Sequence, residues 1–532
     1  NANTDWFKEF YNDWVPSQEH SLSISGGSEK TQYTISGSFL DQNGLLRHGS
    51  DNFQRYTMNG KITSQIADWF TVTYSTKWTR EDFDRPSYLT GLFFHNIARR
   101  WPTNPAYDPN GHPVDGMEIE QLENGGKQIN QKDLNTQQLQ FIFEPIKNWR
   151  INVEGSLRTT NTNEHWDVLP VYAYNADNEP YLISWNGGAL GLSQVNEYSY
   201  KENYYTTNIY SDYFKQFDSG HYFKVMAGFN SELYKTRYVQ AQKSTLISSS
   251  VPTINTATED PKAWGGYAHN AVAGFFGRIN YNYKDRYMVE ANGRYDGSSR
   301  FIGDKRWGFF PSFSAAWRVS EEAFMKDISW LSNFKVRLGW GIVGNDRISN
   351  YLSLDLYQNN RYGIGNSLVT VLTPKQIKNQ NLKWEGSSSV NLGVDLGFFD
   401  SRLNFTADFF IKNTKDLLLA QELAHVTGHS TQYQNIGKIQ NRGIELNLSS
   451  TNIQTKSFTW STNFNISFIR NELKSLESGA NYKTTRSGFD GNFTQDDYIA
   501  MVGSSLGLIV QDFINAARKE LGVSVGPGRG SA

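Results

Sequence analysis

The segment SFTWSTNFNISF, which begins at Ser457, constrains the fold of this chain more than any other feature. Its apolar residues share one parity, interrupted only by Thr462, and its polar residues share the other. A period of two indicates a β-strand with one apolar and one polar face. The apolar face must therefore contact either a protein core or lipid. The apolar residues are Phe458, Trp460, Phe464, Ile466 and Phe468.

The same alternation recurs along the chain, for example in NFKVRLGWG from Asn333, VNLGVDLGFF from Val390 and GIELNLS from Gly443. We count roughly sixteen such segments, each close to the 9–11 residues with which a tilted strand crosses a bilayer. RINYNYKDRYMVEANGRYDGSSRF reads as two strands joined by a tight KD turn. The chain is therefore predicted to be all-β.

The connections between these segments alternate between short and long. Up-and-down strands place alternate connections at opposite ends, and bacterial outer-membrane barrels have short periplasmic turns and long external loops. A soluble sandwich has no reason to keep this alternation, and no repeat of propeller-blade length is present. We therefore expect a transmembrane antiparallel up-and-down β-barrel with its apolar face in lipid and an aqueous lumen. The predicted long connections are Arg80–Leu134, Asn161–Val195, Tyr238–Trp264, Gly344–Leu382, Asn413–Thr431 and Asn471–Phe493.

Composition excludes several classes of protein. The 532 residues include 51 Lys and Arg against 53 Asp and Glu, a balance that gives no argument for nucleic-acid binding. The absence of cysteine excludes disulfides and thiolate metal sites. The opening NANTDWFKEF lacks the basic and apolar regions of a signal peptide. If the protein is exported, we expect this sequence to be a processed or partial piece.

Several ordered motifs resemble one family. RYDGSSRF, RWGFFPSFSAAWRVSEEAF and NFKVRLGWGIVGND are similar to the SusC/RagA class of TonB-dependent outer-membrane transporters of Bacteroidetes. The resemblance continues in QNLKWEGSSSVNLGVDLGFFDSRLNFTADFFIKNTKDLLL, NIGKIQNRGIELNLSS and MVGSSLG, and it extends from Trp6 to Gly507.

The resemblance implies a 22-stranded barrel in the bacterial outer membrane, with an N-terminal plug in its lumen. It also implies a SusD-like surface lipoprotein that covers the external loops as a lid. TonB would supply energy by pulling on a motif ahead of the plug, and the substrates would be oligosaccharides or peptides.

Two departures from the family pattern set the expected domain boundaries. No plug or TonB-binding motif is present, so residues 1–19 are expected to be a linker that follows the plug. Residues 20–508 are expected to form the barrel. The tail at 509–532, a short helical pattern and a Gly-rich end, is atypical: either the chain is truncated and the tail is foreign or misassigned, or this member of the family diverges. We favour a truncated chain because about sixteen strands fall short of the family count.

No catalytic motif is present, and we predict that the protein is not an enzyme. DPNGHPVD, from Asp108 to Asp115, loosely resembles the start of a calcium loop but lacks its bidentate Glu. A plain Asn-Gly turn is the competing interpretation, and no cofactor or metal is predicted.

Aromatic residues without strand periodicity occur in the predicted long loops. Their rings can pack on the C–H faces of sugars or against peptides, and neighbouring arginines can bind carboxylates. The competing interpretation is that they pack the loops together or contact the lid. The candidate ligand-binding residues are Trp101, Tyr107, Trp166, Tyr172, Tyr174, Trp185, Trp264, Arg99 and Arg100.

The polar parity of the strands should line the lumen, where mixed charges suit a wet wall that also holds a plug. The predicted lumen-lining residues are Lys335, Arg337, Glu290, Arg294, Asp395, Asp408 and Glu445. A merely solvated surface would show the same residues. On the apolar parity, Trp340, Trp460 and Tyr287 are candidates for the aromatic girdles of the two interfaces.

The sequence therefore predicts an energy-coupled importer of large nutrients. The alternatives are a plugless porin and a surface adhesin or assembly scaffold. A secreted β-rich hydrolase would need paired carboxylates in a cleft.

Overall fold

A computed structural model describes residues 2–185, 189–476, 481–485, 498–506 and 508–509. It contains three α-helices, α1 Trp6–Phe10, α2 Gly91–Arg99 and α3 Ile119–Asn124, and four short 3₁₀ segments. None of the described helices is long and apolar enough to cross a membrane. The strands are β1 Ser17–Gly27, β2 Thr31–Asn43, β3 Asn52–Ala67, β4 Phe70–Pro86, β5 Lys127–Ile146, β6 Trp149–Val168, β7 Val171–Tyr174, β8 Pro180–Ile183, β9 Gln194–Gln216, β10 His221–Leu246, β11 Ala257–Tyr283, β12 Tyr287–Ser298, β13 Trp307–Arg318, β14 Leu331–Asn345, β15 Tyr357–Ile364, β16 Ser367–Pro374, β17 Glu385–Phe398, β18 Leu403–Lys415, β19 Leu418–Glu422, β20 Thr431–Asn435, β21 Lys438–Gln454, β22 Thr459–Ser475, β23 Tyr482–Thr485, β24 Tyr498–Met501 and β25 Leu508–Ile509.

Sixteen strands form one antiparallel sheet, in the order β1-β2-β3-β4-β5-β6-β9-β10-β11-β12-β13-β14-β17-β18-β21-β22. Each strand between β1 and β22 pairs with the preceding and following members of this series, so the predicted up-and-down topology and strand number are confirmed. The other strands form small sheets within the connections: β7–β8, β15–β16, β19–β20 and β23–β24–β25.

The chain divides into two compact units. Residues 1–209 and 231–270 form unit 1, and residues 210–230 and 271–532 form unit 2. Each unit contains one stretch of the sheet.

The sheet of unit 2 keeps one polar and one apolar face across its strands. Leu338 on β14 pairs with Leu392 on β17, and the neighbouring Arg337 pairs with Gly393. Because the register is continuous, the apolar stripes of successive strands lie side by side. Their side chains are exposed: Leu392 is 47% and Phe468 is 60% accessible. These stripes are therefore no protein core, which agrees with the prediction that they face lipid.

Unit 1 follows the same rule. Its apolar face carries Ile24 opposite Ile35 and, in the next row, Tyr33, Ile62 and Tyr74. All five side chains are exposed. The opposite face of these strands is polar.

Three of the predicted long loops are shorter than the sequence indicated. β4 continues to Pro86 and β5 begins at Lys127, within the stretch interpreted as one connection. β6 likewise reaches Val168, and β10 and β11 run well into the predicted Tyr238–Trp264 loop. These strand ends carry only scattered apolar residues, so their ladders continue where the regular alternation that marks a strand has disappeared.

The largest buried core lies outside the sheet, in the connections of unit 1. Trp6 and Phe10 of α1 pack with Phe93 of α2 and with Ile119 and Leu122 of α3. Asp5 caps α1 by accepting a hydrogen bond from the Lys8 amide at 3.2 Å. The segment at 1–19, expected to be a linker, thus contains a helix packed into this core. Of the tail at 509–532, all but Ile509 lies outside the described residues.

Candidate functional site

The polar face of unit 2 bears two overlapping hollows, of about 610 and 790 Å³. Arg278, Glu290, Ser314 and Asn391 line both of them. These side chains come from β11, β12, β13 and β17, so the hollows follow the polar face across neighbouring strands. This surface is here called the polar wall.

Arg337 is the centre of the best-defined cluster on the polar wall. Its guanidinium donates to both carboxylate oxygens of Asp395, at 2.8 and 3.0 Å, and to Asp408 at 3.1 Å. Thr406 donates a further hydrogen bond to Asp395 at 3.2 Å. The bidentate geometry fixes the guanidinium plane against the wall.

Gly393 makes room for this cluster. It lies between Arg337 and Asp408 in the same cross-strand row. A Cβ atom at Gly393 would come within 2.5 Å of a carboxylate oxygen of Asp408 and 2.6 Å of the Arg337 guanidinium carbon. The absence of a side chain therefore lets the ion pair lie flat on the sheet.

All seven residues predicted to line the lumen lie on this one face, as the cross-strand register shows. Glu290 accepts hydrogen bonds from Asn292, at 2.8 Å, and from Asn280. Arg294 forms a bidentate pair with Asp296 at 2.8 and 3.1 Å. The face is the one predicted, whereas its role as a lumen stays a prediction.

The remaining charges of the wall are less engaged. Lys335 is opposite Asp395 in the register, and Glu445 is opposite Asp408. Because Arg337 forms an ion pair with Asp408, the repulsion between Asp408 and Glu445 is weaker than that between two unpaired carboxylates. The wall therefore offers ammonium, carboxylate and amide groups to a polar solute.

The apolar face of unit 2 carries aromatic residues at two levels. Tyr287 pairs with Trp317 near the end with short turns, and both donate to Glu322, at 2.6 and 3.0 Å. Tyr295 stacks on Trp307 at 5.0 Å near the other end. The two levels on β12 are eight residues apart, about 26 Å along the strand, which is comparable with the apolar band of outer-membrane barrels. The girdle candidates Trp340 and Trp460 are also exposed on this face.

Arg100 and Glu118 form a buried ion pair in the connections of unit 1, at 2.7 Å, with side chains only 7% and 6% accessible. Arg100 also donates to the Met117 carbonyl at 2.6 Å, and its guanidinium lies 4.8 Å from the Trp6 ring. Tyr88 donates to Glu118 at 2.8 Å. Burial, and then Glu118, raise the pKa of Tyr88. The Arg100 guanidinium is thus bound within the protein, whereas its neighbour Arg99 is exposed.

The aromatic candidates separate into exposed and packed residues. Trp101 is 73% accessible, and Tyr172 is also exposed. Trp185 is buried, donates to the Gly125 carbonyl at 2.8 Å and meets the Tyr88 ring edge-on. Tyr174 stacks on His112, with ring centroids 3.9 Å apart.

Two aromatic candidates are on strands of the sixteen-stranded sheet, which corrects their predicted placement in loops, whereas Tyr172 and Tyr174 lie on the short β7 within a connection. Trp166 lies on β6 and packs against the buried core. Trp264 lies on β11 and is exposed. The cause is that β6 and β11 extend beyond the segments in which regular alternation marks a strand.

Tyr107 and His48 connect α1 to the neighbouring connections. Tyr107 donates to Glu9 at 2.8 Å, and burial followed by this bond raises the pKa of Tyr107 to about 12. His48 contacts Glu9 at 3.1 Å and Glu123 at 2.7 Å. The sequence did not identify His48 or Glu118, because their partners lie tens of residues away along the chain.

The Asp108–Asp115 segment folds as a turn. The Asp108 carboxylate accepts from the amides of Asn110 and His112, both at 2.8 Å, and Gly111 has a positive φ of 89°. No group of three or more His, Cys, Asp or Glu able to hold a metal ion occurs among the described residues.

Together, the exposed apolar stripe, the aromatic levels and the polar wall define an outer-membrane β-barrel protein. Residues 73–508 match the family model described as TonB dependent receptor-like, beta-barrel. The chain belongs to this family of bacterial outer-membrane proteins.

Individual relatives agree. TonB-dependent receptor SusC of Bacteroides thetaiotaomicron is 29% identical over 523 residues, which cover 90% of this chain and 49% of SusC. A TonB-dependent receptor of Formosa agariphila is 28% identical over 87% of this chain and 43% of its own length. The solved RagAB peptide transporter shares the fold, with a TM-score of 0.82 and 23% identity over 95% of this chain and 55% of that one. The chain spans about half the length of the curated relatives it matches.

Proposed function

We propose that this chain is the barrel part of a TonB-dependent importer of large nutrients, either oligosaccharides or peptides. One observation carries the proposal: the strands that expose an apolar stripe on one face carry a continuous row of charged and amide groups on the other. Such a wall can exchange hydrogen bonds with a hydrated solute as it passes. No covalent step is required of any residue.

The likeness to SusC and to the RagAB peptide transporter supports the two substrate classes without choosing between them. Exposed loop aromatics such as Trp101 and Tyr172 suit both, because a ring packs equally on a sugar face or an apolar side chain. The buried Arg100 is proposed to position the loops, and the exposed Arg99 remains a candidate for carboxylates.

A SusD-like surface lipoprotein is the proposed partner. The β15–β16 hairpin supports it, because Tyr357, Ile364, Leu368 and Leu372 are all exposed there. An isolated two-stranded hairpin is marginally stable in water, and exposed apolar residues of this kind favour contact with another protein.

Uptake by the full-length receptor in its native outer membrane tests the proposal. Labelled oligosaccharides and peptides should accumulate in cells with TonB and fail to accumulate in cells without it. Flux that persists without TonB would instead favour the passive porin. Binding to neither panel, together with attachment to a surface, would favour the adhesin or scaffold.

Trp101→Ala tests the loop aromatics, with Trp14→Ala as the matched control because both rings are highly exposed in unit 1. We expect Trp101→Ala to weaken substrate binding about two- to tenfold, as the loss of one ring contact does. Equal effects of the two substitutions would contradict a ligand-binding role for Trp101.

A further inference from the structure

Two like-charged pairs face each other across neighbouring strands of unit 2. Arg442 on β21 is directly opposite Arg470 on β22, and Lys415 on β18 is directly opposite Lys438 on β21. All four side chains are exposed, and none forms an ion pair with another described residue. These four residues are called the cationic patch.

The patch lies on the apolar face. Along β21, Arg442 has the same parity as Ile444 and Leu446, and along β22 Arg470 has that of Phe468 and Ile466. The row beyond the arginines is Phe409, Ile444 and Phe468, all exposed. The cations therefore border the lipid-facing stripe, and Arg337 of the polar wall lies on the opposite face.

All four residues of the patch lie toward the same end of β18, β21 and β22, which places the patch at one level of the bilayer. β18 ends at Lys415 and β21 begins at Lys438, where the chain enters the connection that holds β19 and β20. At the other end of the same strands, only residues 455–458 join β21 to β22. Since outer-membrane barrels have short turns in the periplasm, the patch lies at the outer-leaflet headgroups.

This arrangement is unfavourable without a counter-charge. Like charges directly opposite in an antiparallel pair destabilise the sheet. Glu472, in the row between the two pairs, accepts a hydrogen bond from Lys474 at 2.6 Å. Glu472 also interacts electrostatically with Arg442 and Arg470. Among the described residues, this one carboxylate is shared with Lys474 and therefore offsets only part of the positive charge of the patch.

We infer that the cationic patch binds the phosphate-bearing headgroups of an anionic lipid in the outer leaflet. Arg442 and Lys438 are four residues apart, about 13 Å along the strand. A headgroup with more than one phosphate, or two headgroups, can therefore neutralise both pairs while the acyl chains cover the stripe that begins at Ile444. Basic residues next to an apolar span recognise anionic lipids in this manner. The inference goes beyond the proposed transport function and does not depend on it.

Lipid A titrated into the full-length receptor in zwitterionic detergent, followed by native mass spectrometry, tests the inference. We expect the receptor to retain lipid A and Arg442→Gln/Arg470→Gln to bind it about 25-fold more weakly, a factor of about five for each cation removed. The charge-matched control is Lys147→Gln/Lys456→Gln, since both lysines are exposed in turns. The control should bind as the unmodified receptor does.

Stability gives a second readout that separates lipid binding from misfolding. Without lipid, the arginine double variant should unfold at the same or a higher temperature, because its like-charge repulsion is gone. Added lipid A should stabilise the unmodified receptor and not this variant. Lys415→Gln/Lys438→Gln repeats the test at the second pair.

Other outcomes would overturn the inference. These are unchanged lipid A binding in both double variants, an equal loss in the control, or equal retention of phosphatidylcholine. Full displacement of lipid A by inorganic phosphate at matched concentration would assign the patch to free anions. Substrate uptake should be unaffected by either double variant, so failure of this inference and failure of the proposed function are distinguishable.

Discussion

The connections of unit 1 and the sheet of unit 2 use apolar residues in opposite ways. Phe93 in unit 1 is fully buried among aromatic and aliphatic neighbours, whereas Phe468 in unit 2 is largely exposed. Both are phenylalanines in regular structure, so residue type alone does not decide burial. The difference teaches that the connections fold in water around their own core, whereas the sheet relies on hydrocarbon to cover its stripe.

The largest expected effect concerns the ion pair that holds the connections. Arg100→Met leaves Glu118 buried with Tyr88 and Asn96 as its remaining donors, which should cost the connections about 3–5 kcal/mol. Hydrogen exchange of the amides between 88 and 126 should accelerate while the sheet stays protected. Arg99→Met is the control, and equal exchange in both variants would contradict a structural role for Arg100.

A charge on the lipid-facing stripe should have the next largest effect. Leu392→Arg should destabilise the protein folded in bilayers by about 2–4 kcal/mol if residue 392 lies near the midplane. Asn391→Arg, one residue away on the polar wall, should cost close to nothing. Equal losses of stability at 391 and 392 would contradict the assignment of one face of the sheet to lipid and the other to water.

A methyl group at Gly393 tests the fit of the Arg337 cluster. Gly393→Ala should destabilise the sheet by about 1–3 kcal/mol because the new Cβ displaces the ion pair. Gly339→Ala is the control, since nothing lies within 4 Å of its Cβ position. Thermal unfolding compares the two, and a stable Gly393→Ala protein would show that the cluster can move without cost.

The smallest effect is expected from Tyr107 at alkaline pH. Its pKa in the folded state, about 12, exceeds the ordinary value of 10.0. The protonated phenol therefore contributes stability that is complete below pH 10 and is lost as the pH rises through 12. Tyr107→Phe should remove this part of the alkaline loss. An ultraviolet titration of the folded protein measures this directly, because Tyr107→Phe should remove one tyrosine that ionises near pH 12. An unchanged titration curve in that region would contradict the prediction.

The strands could be predicted from the sequence wherever one face contacts water and the other contacts lipid, because this imposes a period of two on the polar and apolar residues. The KD hairpin was also predictable, since Lys284 and Asp285 adopt the positive φ values, 53° and 54°, of a tight turn. The core of the connections could not be predicted, because Trp6 meets Arg100 across more than ninety residues and no local period records that contact. Trp166 and Trp264 were misplaced for a related reason, since the ends of β6 and β11 lack the regular alternation of apolar and polar residues that identifies a strand in sequence.

The length of β5 and β6 has a consequence for the rim of the protein. Each strand has twenty residues, about twice the number that a bilayer requires. The first half of β5, KQINQKDLNTQQ, is polar except for Ile129 and Leu134, and the regular apolar stripe begins at Leu139. The water–hydrocarbon boundary therefore crosses these strands midway. Beyond this boundary the two strands remain hydrogen-bonded to each other, so the part of β5 and β6 that lies outside the hydrocarbon is a continuation of the sheet and not a loop.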